Sequence, residues 1–291
     1  MPITKPIKDH IQSLKKQYEK HRKGKESLLV MIDETEIPES VYNSNAIENS
    51  TLTLGETEKI LLEMAISRHV SLREVFEAKN LARVINYTRS KSQIETLTKD
   101  LILLLHEMLI STINEKISGR FRNKGEYVRV GLHIAPAPEN VESMMDEILE
   151  DYTSNQDKYL IERIAKFHLD FETIHPFCDG NGRIGRVLMN YQLIQLGFPR
   201  VIIRDKEKKL YYQALRDYNI NSSTKGMEKI VAKALIESLH KRVTYLKGQK
   251  IITLADYTKQ QTKKTASSLL NAAKRQSIPA FRERGVWKIG V

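Results

Sequence analysis

Along most of the first 240 residues, apolar positions recur at helical spacing. After Ser71, residues Val75, Ala78, Leu81 and Ile85 fall three or four apart and predict one buried helix face. Two Ser/Thr-x-x-Glu sequences stand where helices should begin: Thr53 with Glu56 before KILLEMA, and Ser71 with Glu74 before VFEAKNLARVI. Each predicts a capping box. Further helices are expected from about Thr98 to Ile113, from Val141 to Tyr152, and from Lys158 to Thr173. The last would turn Ile161, Ile164, Ala165 and His168 toward a core.

One stretch breaks this period. From Tyr127 to Ala135 the chain alternates, with Val128, Val130, Leu132 and Ile134 expected on one side. Arg129, Gly131, His133 and Ala135 would lie on the other. The pattern predicts a strand or hairpin, ended by Pro136 and Pro138. Alone in a helical chain, it has an edge to offer. Beyond Lys241, TLADYTKQ and KKTASSLLNAAKRQ read as two short helices and IPAFRERGVWKIGV as strand. That order is the pattern of a winged helix-turn-helix.

Composition narrows the class. A chain of 291 residues can bury one large core and a small one. The apolar fraction of 41% and charged fraction of 29% are those of a soluble globular protein. The apolar run Leu101 to Leu105 is far too short to span a bilayer, and MPITKPIKDHIQ has no apolar segment of signal-peptide length. The single cysteine, Cys178, excludes internal disulfides and cysteine-based zinc sites. The expectation is a cytoplasmic protein with no membrane partner. The net charge of +11 is uneven: residues 241–291 hold twelve Lys or Arg against two acids, +10, which leaves +1 for the rest. This basic tail reads either as a DNA contact or as a module that packs on the core or forms a homodimer contact.

The chemistry concentrates in I-H-P-F-C-D-G-N-G-R-I-G-R, Ile174 to Arg186. Pro176 disfavours helix at the residue before it, so the upstream helix should stop by His175. Gly180, Asn181 and Gly182 tolerate positive φ and close backbone approach. A second helix is expected from about Arg183 through VLMNYQLIQL, with Gly197 at its C′ position. Successive N–H groups in such a loop form an anion-binding concavity at the positive end of a helix. Arg183 and Arg186 sit one helical turn apart at that end, where a cation opposes the dipole by about 0.3–1 kcal/mol each. The plain explanation is pairing with acids elsewhere. The sharper one is a clamp on several phosphates. Asp179 is the lone carboxylate beside the loop, suited to Mg²⁺ shared with substrate phosphates. His175 is the candidate general base. His168 is expected in the core and Phe177 as the loop's anchor.

These residues resemble the Fic (Fido) family motif HxFx(D/E)GNGRxxR at every specified position, and the similarity extends over roughly Ser44 to Leu239. The resemblance implies a mainly α-helical Fic-fold bundle with a β-hairpin flap, followed here by a small winged-helix-like domain. It implies residues 1–95 as an amino-terminal helical region, 96–240 as the catalytic core and 241–291 as the basic module. The activity implied is protein adenylyltransfer: AMP moves from ATP to a Ser, Thr or Tyr hydroxyl. His175 would be the base, Asp179 the Mg²⁺ ligand, and Gly180, Asn181 and Gly182 the cradle of the α- and β-phosphates. Arg183 and Arg186 would hold the β- and γ-phosphates. Tyr211, Tyr212 and Asn219 would surround adenine. Val128, Arg129, Val130 and Gly131 would be the flap along which a target chain binds. Ser44-N-A-I-Glu48-Asn49 is similar to the family's inhibitory motif (S/T)xxxE(G/N), on residues i and i+4 of a helix around 44–50. Glu48 would then take Arg186 from the γ-phosphate. Two other functions remain open: removal of AMP using Glu48, and a DNA-binding regulator whose Fic core senses nucleotide.

Overall fold

Helix dominates, as the 3.6-residue spacing requires. The computed structural model describes residues 3–66, 70–92, 95–131, 133–260 and 265–291. Its helices are α1 (Lys5–Arg22), α2 (Glu26–Thr35), α3 (Ile37–Ile47), α4 (Leu54–Glu58), α5 (Leu72–Lys91), α6 (Lys99–Ile110), α7 (Val141–Ser154), α8 (Leu160–Ile174), α9 (Asn181–Gln195), α10 (Lys208–Asn221), α11 (Lys225–Leu246), α12 (Leu254–Lys259) and α13 (Ala266–Lys274). The strands are β1 (Arg129–Val130), β2 (His133–Ile134), β3 (Ile251–Thr253), β4 (Ala280–Glu283) and β5 (Val286–Gly290). Among the described residues no helix is long and apolar enough to cross a membrane.

Contacts divide the chain into two units. The larger comprises Ile37–Phe198 and Ile203–Ile230. In it α8 packs on α7 and α9, and α5 packs on α6 and α9. Val75, Ala78, Leu81 and Ile85 of α5 are buried, as are Ile161, Ile164, Ala165 and His168 of α8, so both periodic faces become core. Thr98 caps α6, its side chain accepting from the Leu101 N–H at 3.2 Å.

Local pattern and tertiary demand disagree in three places. Thr53 and Glu56 form the expected capping box, but Ser71 makes no side-chain cap. The Glu74 carboxylate is instead taken by the Ser50 hydroxyl at 3.1 Å and the Thr51 N–H at 2.6 Å. The KILLEMA helix changes to a π-helix over Lys59–Glu63 and ends at Met64 in the left-handed region, φ 56°. The alternating stretch is a hairpin of two-residue strands, with Arg129 opposite Ile134 and Val130 opposite His133. Gly131, at φ +60°, starts the reversal. Reversal resets the phase: cross-strand partners share a face, so Val130 and Ile134 lie on opposite faces rather than one. Both are exposed. Leu132 lies outside the described residues.

The second unit comprises Met1–Glu36, Pro199–Ile202 and Val231–Val291. It holds the two short helices expected of the tail, and the segment expected as strand folds into a hairpin, with β3 added in the sheet order β3-β5-β4. Arg284 and Gly285, at φ 50° and 77°, make the two-residue turn between β4 and β5. Leu254, Leu269, Ala273 and Ala280 form its small core, with Tyr257, Ile278 and Trp287 packed against them. The unit is larger than residues 241–291, because buried charge ties its ends together. The Arg242 guanidinium is 1% exposed and bonds Asp33 and Glu36, while Lys241 lies 3.0 Å from Glu36 and 3.1 Å from Glu283. Arg282 pairs with Glu237. Of the tail's twelve cations, Lys241, Arg242 and Arg282 are therefore paired with acids inside the unit.

Candidate active site

Helix α8 stops at Ile174, and His175 caps it in the left-handed conformation, φ 50°. Pro176 explains the stop. Gly180, at φ 83°, is the N-cap of α9, which begins at Asn181 rather than at Arg183. Between the helices the loop is pinned from both sides. The Asn181 amide accepts from the Phe177 N–H at 2.9 Å and donates to the Phe177 carbonyl at 2.8 Å. The fully buried Phe177 ring stacks on His106, centroids 3.7 Å apart. His106 Nδ1 accepts from the Gly119 N–H, so Nε2 donates to the Asp179 carbonyl at 3.0 Å. The side chain of Asn181 is thus committed to its own loop. Only its N–H, with those of Gly180 and Gly182, is available for a phosphate.

The two arginines of α9 both meet acids. Arg183 lies 2.9 Å from Asp179 and 3.3 Å from Glu77, and the other oxygen of Asp179 is bonded by Arg73 from α5. Arg186 donates to the Ser44 hydroxyl at 2.9 Å and to the Ser44 carbonyl at 2.8 Å. Its Nη2 also lies 2.9 Å from Glu48 Oε1. Ser44 belongs to α3, and Glu48 stands just past that helix, its N–H bonded to the Asn45 carbonyl. The Glu48 carboxylate fills the space left by the missing side chain of Gly182: a Cβ there would fall 2.1 Å from Glu48 Oε1.

His175, Asp179, Gly180, Gly182, Arg183 and Glu48 line one cavity of about 490 Å³. The carbonyl of Glu172 faces His175 Nδ1 at 3.3 Å. A carbonyl can only accept, so Nδ1 carries the proton and Nε2 keeps its lone pair. Burial pushes the His175 pKa down to about 4, so the ring is neutral near pH 7. The Arg122 guanidinium donates to the carbonyls of His175, Ile174 and Pro136. His133 of β2 bonds the Thr173 carbonyl at 2.8 Å.

The remaining residues singled out in the sequence are placed differently. Tyr211 does not line the cavity: it is 1% exposed, and its hydroxyl lies 2.8 Å from His168 Nε2 and 3.4 Å from Arg186 Nη1. The Tyr212 hydroxyl donates to the Ile47 carbonyl at 3.1 Å, and Asn219 accepts from Thr173 at 2.9 Å. Val128 to Gly131 belong to the hairpin. Sequence reasoning missed Arg73, Glu77, Asn45 and Glu172. Asn45 lines the cavity with its amide buried and unpaired. Its place inside the Ser44–Glu48 segment was the one available signal.

A helix end, a glycine loop and a helix start carrying two arginines thus stand beside a neutral histidine. Residues 96–193 match the Fic/DOC family model. A protein adenylyltransferase Fic from Nematostella vectensis is 36% identical over 183 residues, covering 62% of this chain and 42% of the relative. One from Drosophila grimshawi is 32% identical over 180 residues, 60% of this chain and 37% of the relative. The chain thus spans less than half the length of these relatives. Among solved structures, a Fic domain containing signaling protein from Bacteroides thetaiotaomicron aligns with a TM-score of 0.74 at 25% identity, over 83% of this chain and 98% of that one. Fic-1 from C. elegans aligns at 0.70, also with 25% identity, over 83% and 73%.

Proposed function

We propose that this chain transfers AMP from ATP to a hydroxyl side chain of a target protein, and that Glu48 restrains the transfer. The observation that carries this reading is the single cavity in which His175, the Gly180–Gly182 helix start, Arg183 and Glu48 meet. Loop N–H groups and the positive end of α9 suit the α- and β-phosphates. Arg183 and Arg186 suit the terminal phosphates once their acidic partners are exchanged for phosphate oxygens. His175 Nε2 accepts the hydroxyl proton as the target oxygen attacks the α-phosphorus and pyrophosphate leaves. Asp179 fits Mg²⁺, since its carboxylate is part-exposed at the cavity and held only by cationic side chains, of which Arg73 is more than half exposed. When bound, the ion would neutralise charge building on the departing phosphates. The exposed hairpin with Val130 and Ile134 suits a target chain added by strand pairing.

Two facts support restraint by Glu48. Its carboxylate holds Arg186, and it stands against Gly182 where a phosphate would need to approach. The test uses ATP labelled on the α-phosphate, with Mg²⁺ and a cell lysate as acceptor. Wild type, Glu48→Gly and Glu48→Gly/His175→Ala are compared. Strong labelling in the single variant alone is expected. Equal labelling by wild type and Glu48→Gly would remove the restraint, and labelling by the double variant would remove His175 as the base.

A further inference from the structure

Glu172 is a buried carboxylate for which the transfer chemistry above has no use, and its surroundings are specific. It lies on the last turn of α8, one turn before His175, with its side chain 8% exposed. Oε1 accepts from the Tyr211 hydroxyl at 3.3 Å, and Oε2 lies 3.9 Å from His175 Nδ1. His168 Nε2 is 2.8 Å from the Tyr211 hydroxyl and 3.9 Å from Glu172 Oε1. Room for this cluster is made by Gly185 of α9. A Cβ at that position would fall 2.9 Å from His168 Cε1 and 3.0 Å from Glu172 Oε1. A charged residue is rarely buried without a partner, and here the chain has cleared space for one beside the candidate base.

We infer that Glu172, held by Tyr211, is a positioning residue: its backbone carbonyl takes the Nδ1–H of His175, and its carboxylate, 3.9 Å from Nδ1, stabilises the imidazolium formed when His175 takes the target's proton. This rests on the reading of His175 as the base. In the transfer step the hydroxyl O–H bond breaks and its proton goes to His175 Nε2. The oxygen bonds the α-phosphorus and the P–O bond to pyrophosphate breaks. The positive charge left on the imidazole then lies 3.9 Å from the carboxylate, while Nδ1–H stays on the Glu172 carbonyl. It shares with hydrolase triads a buried acid beside a histidine base, but the acid acts through charge across 3.9 Å rather than by a hydrogen bond to Nδ1–H.

The surrounding charges connect this pair to Glu48. Facing Glu172 are Arg186 of α9, Tyr211 of α10, His168 of its own helix, and Glu48 beyond α3; facing His175 are also Arg122 and His133. Burial, and then the Glu48 charge, raise the Glu172 carboxyl to about 7, while Arg186 pulls the other way. Glu172 is therefore part-protonated near neutrality while Glu48 is in place. Removing Glu48 favours the ionised form that the imidazolium needs.

Two measurements test this. The first needs no nucleotide: ¹⁵N-histidine NMR of the full chain from pH 5 to 9, with His175 assigned from His175→Ala. The His175 ring shifts should pass through a step near pH 7 in wild type, and Glu172→Gln should remove it. Absence of the step in wild type, or its persistence in Glu172→Gln, overturns the contact. The second is transfer in the Glu48→Gly background with α-labelled ATP and lysate acceptor. Glu172→Gln should lower kcat at least ~10-fold and leave the KM for ATP unchanged. Tyr211→Phe, which keeps the volume and drops the hydroxyl, should lower kcat in the same direction. An unchanged kcat in Glu172→Gln alongside the NMR step sinks the positioning role. Transfer surviving His175→Ala would instead sink the reading of His175 as base, a separately visible failure.

Discussion

The Glu48 carboxylate stands 2.9 Å from the Arg186 guanidinium and occupies the space beside the bare Cα of Gly182. One acidic side chain therefore holds both a cation and the volume beside that glycine. On the proposed function a triphosphate would have to displace it or bind out of line, and a misplacement of about 1 Å can cost roughly 10²-fold in rate. Glu48→Gly is accordingly expected to raise α-phosphate labelling by roughly 10²-fold. The gain should appear in kcat, measured at saturating ATP, because the restraint acts on the reacting geometry.

His175→Ala should lower transfer by about 10²–10⁴-fold, the usual contribution of a general base. Stability should hardly change by urea denaturation, because His175 caps α8 through its backbone and its side chain has few partners. A large loss of stability would mean that the activity loss reports misfolding.

Phe177→Ala should destabilise the chain by about 3–5 kcal/mol, the typical cost of emptying a buried aromatic site. The ring is fully buried against His106, and Asn181 closes on its backbone. Denaturant midpoints would give the change, and nucleotide binding should fall with it, since the ring is the loop's foundation.

Glu36 supplies a pH test within the second unit. Burial opposes its ionisation, but Arg242 and Lys241 outweigh burial and hold its pKa at about 2, below the ordinary 4.5. A depressed carboxylate contributes stability that is complete above 4.5 and is lost as pH falls toward 2. Wild type should therefore lose on the order of a few kcal/mol over that window through this group. Glu36→Gln should start less stable at pH 7 and show a flatter acid limb in chemical denaturation.

The helices and the loop joining α8 to α9 were legible in the sequence because their determinants are local. Val75, Ala78, Leu81 and Ile85 encode a face within one helix, and His175 to Arg186 are contiguous. What escaped was set at a distance. Arg73 reaches Asp179 and Tyr211 reaches Glu172 across separations that no spacing rule covers. Glu74 carries the right letter for a capping box, yet it is drawn to Ser50 and Thr51 by tertiary contact. Val130 and Ile134 alternate as one strand would, but a turn beginning at Gly131 puts them on opposite faces. The three residues of β3 become a strand only by pairing with β5.

On the proposed transfer, Arg122 would have a consequence for which targets can react. Its guanidinium bonds the carbonyl of Pro136, where the hairpin ends, and the carbonyls of Ile174 and His175, where the candidate base is mounted. The hairpin and the candidate base are thus fastened to one rigid plane, which would act as a caliper with fixed jaws. A polypeptide laid along the hairpin would meet His175 at a set depth, and side-chain length would decide whether its oxygen arrives. Discrimination between a short aliphatic alcohol and a long phenol would then follow from that fixed gap, without any pocket shaped to the residue itself.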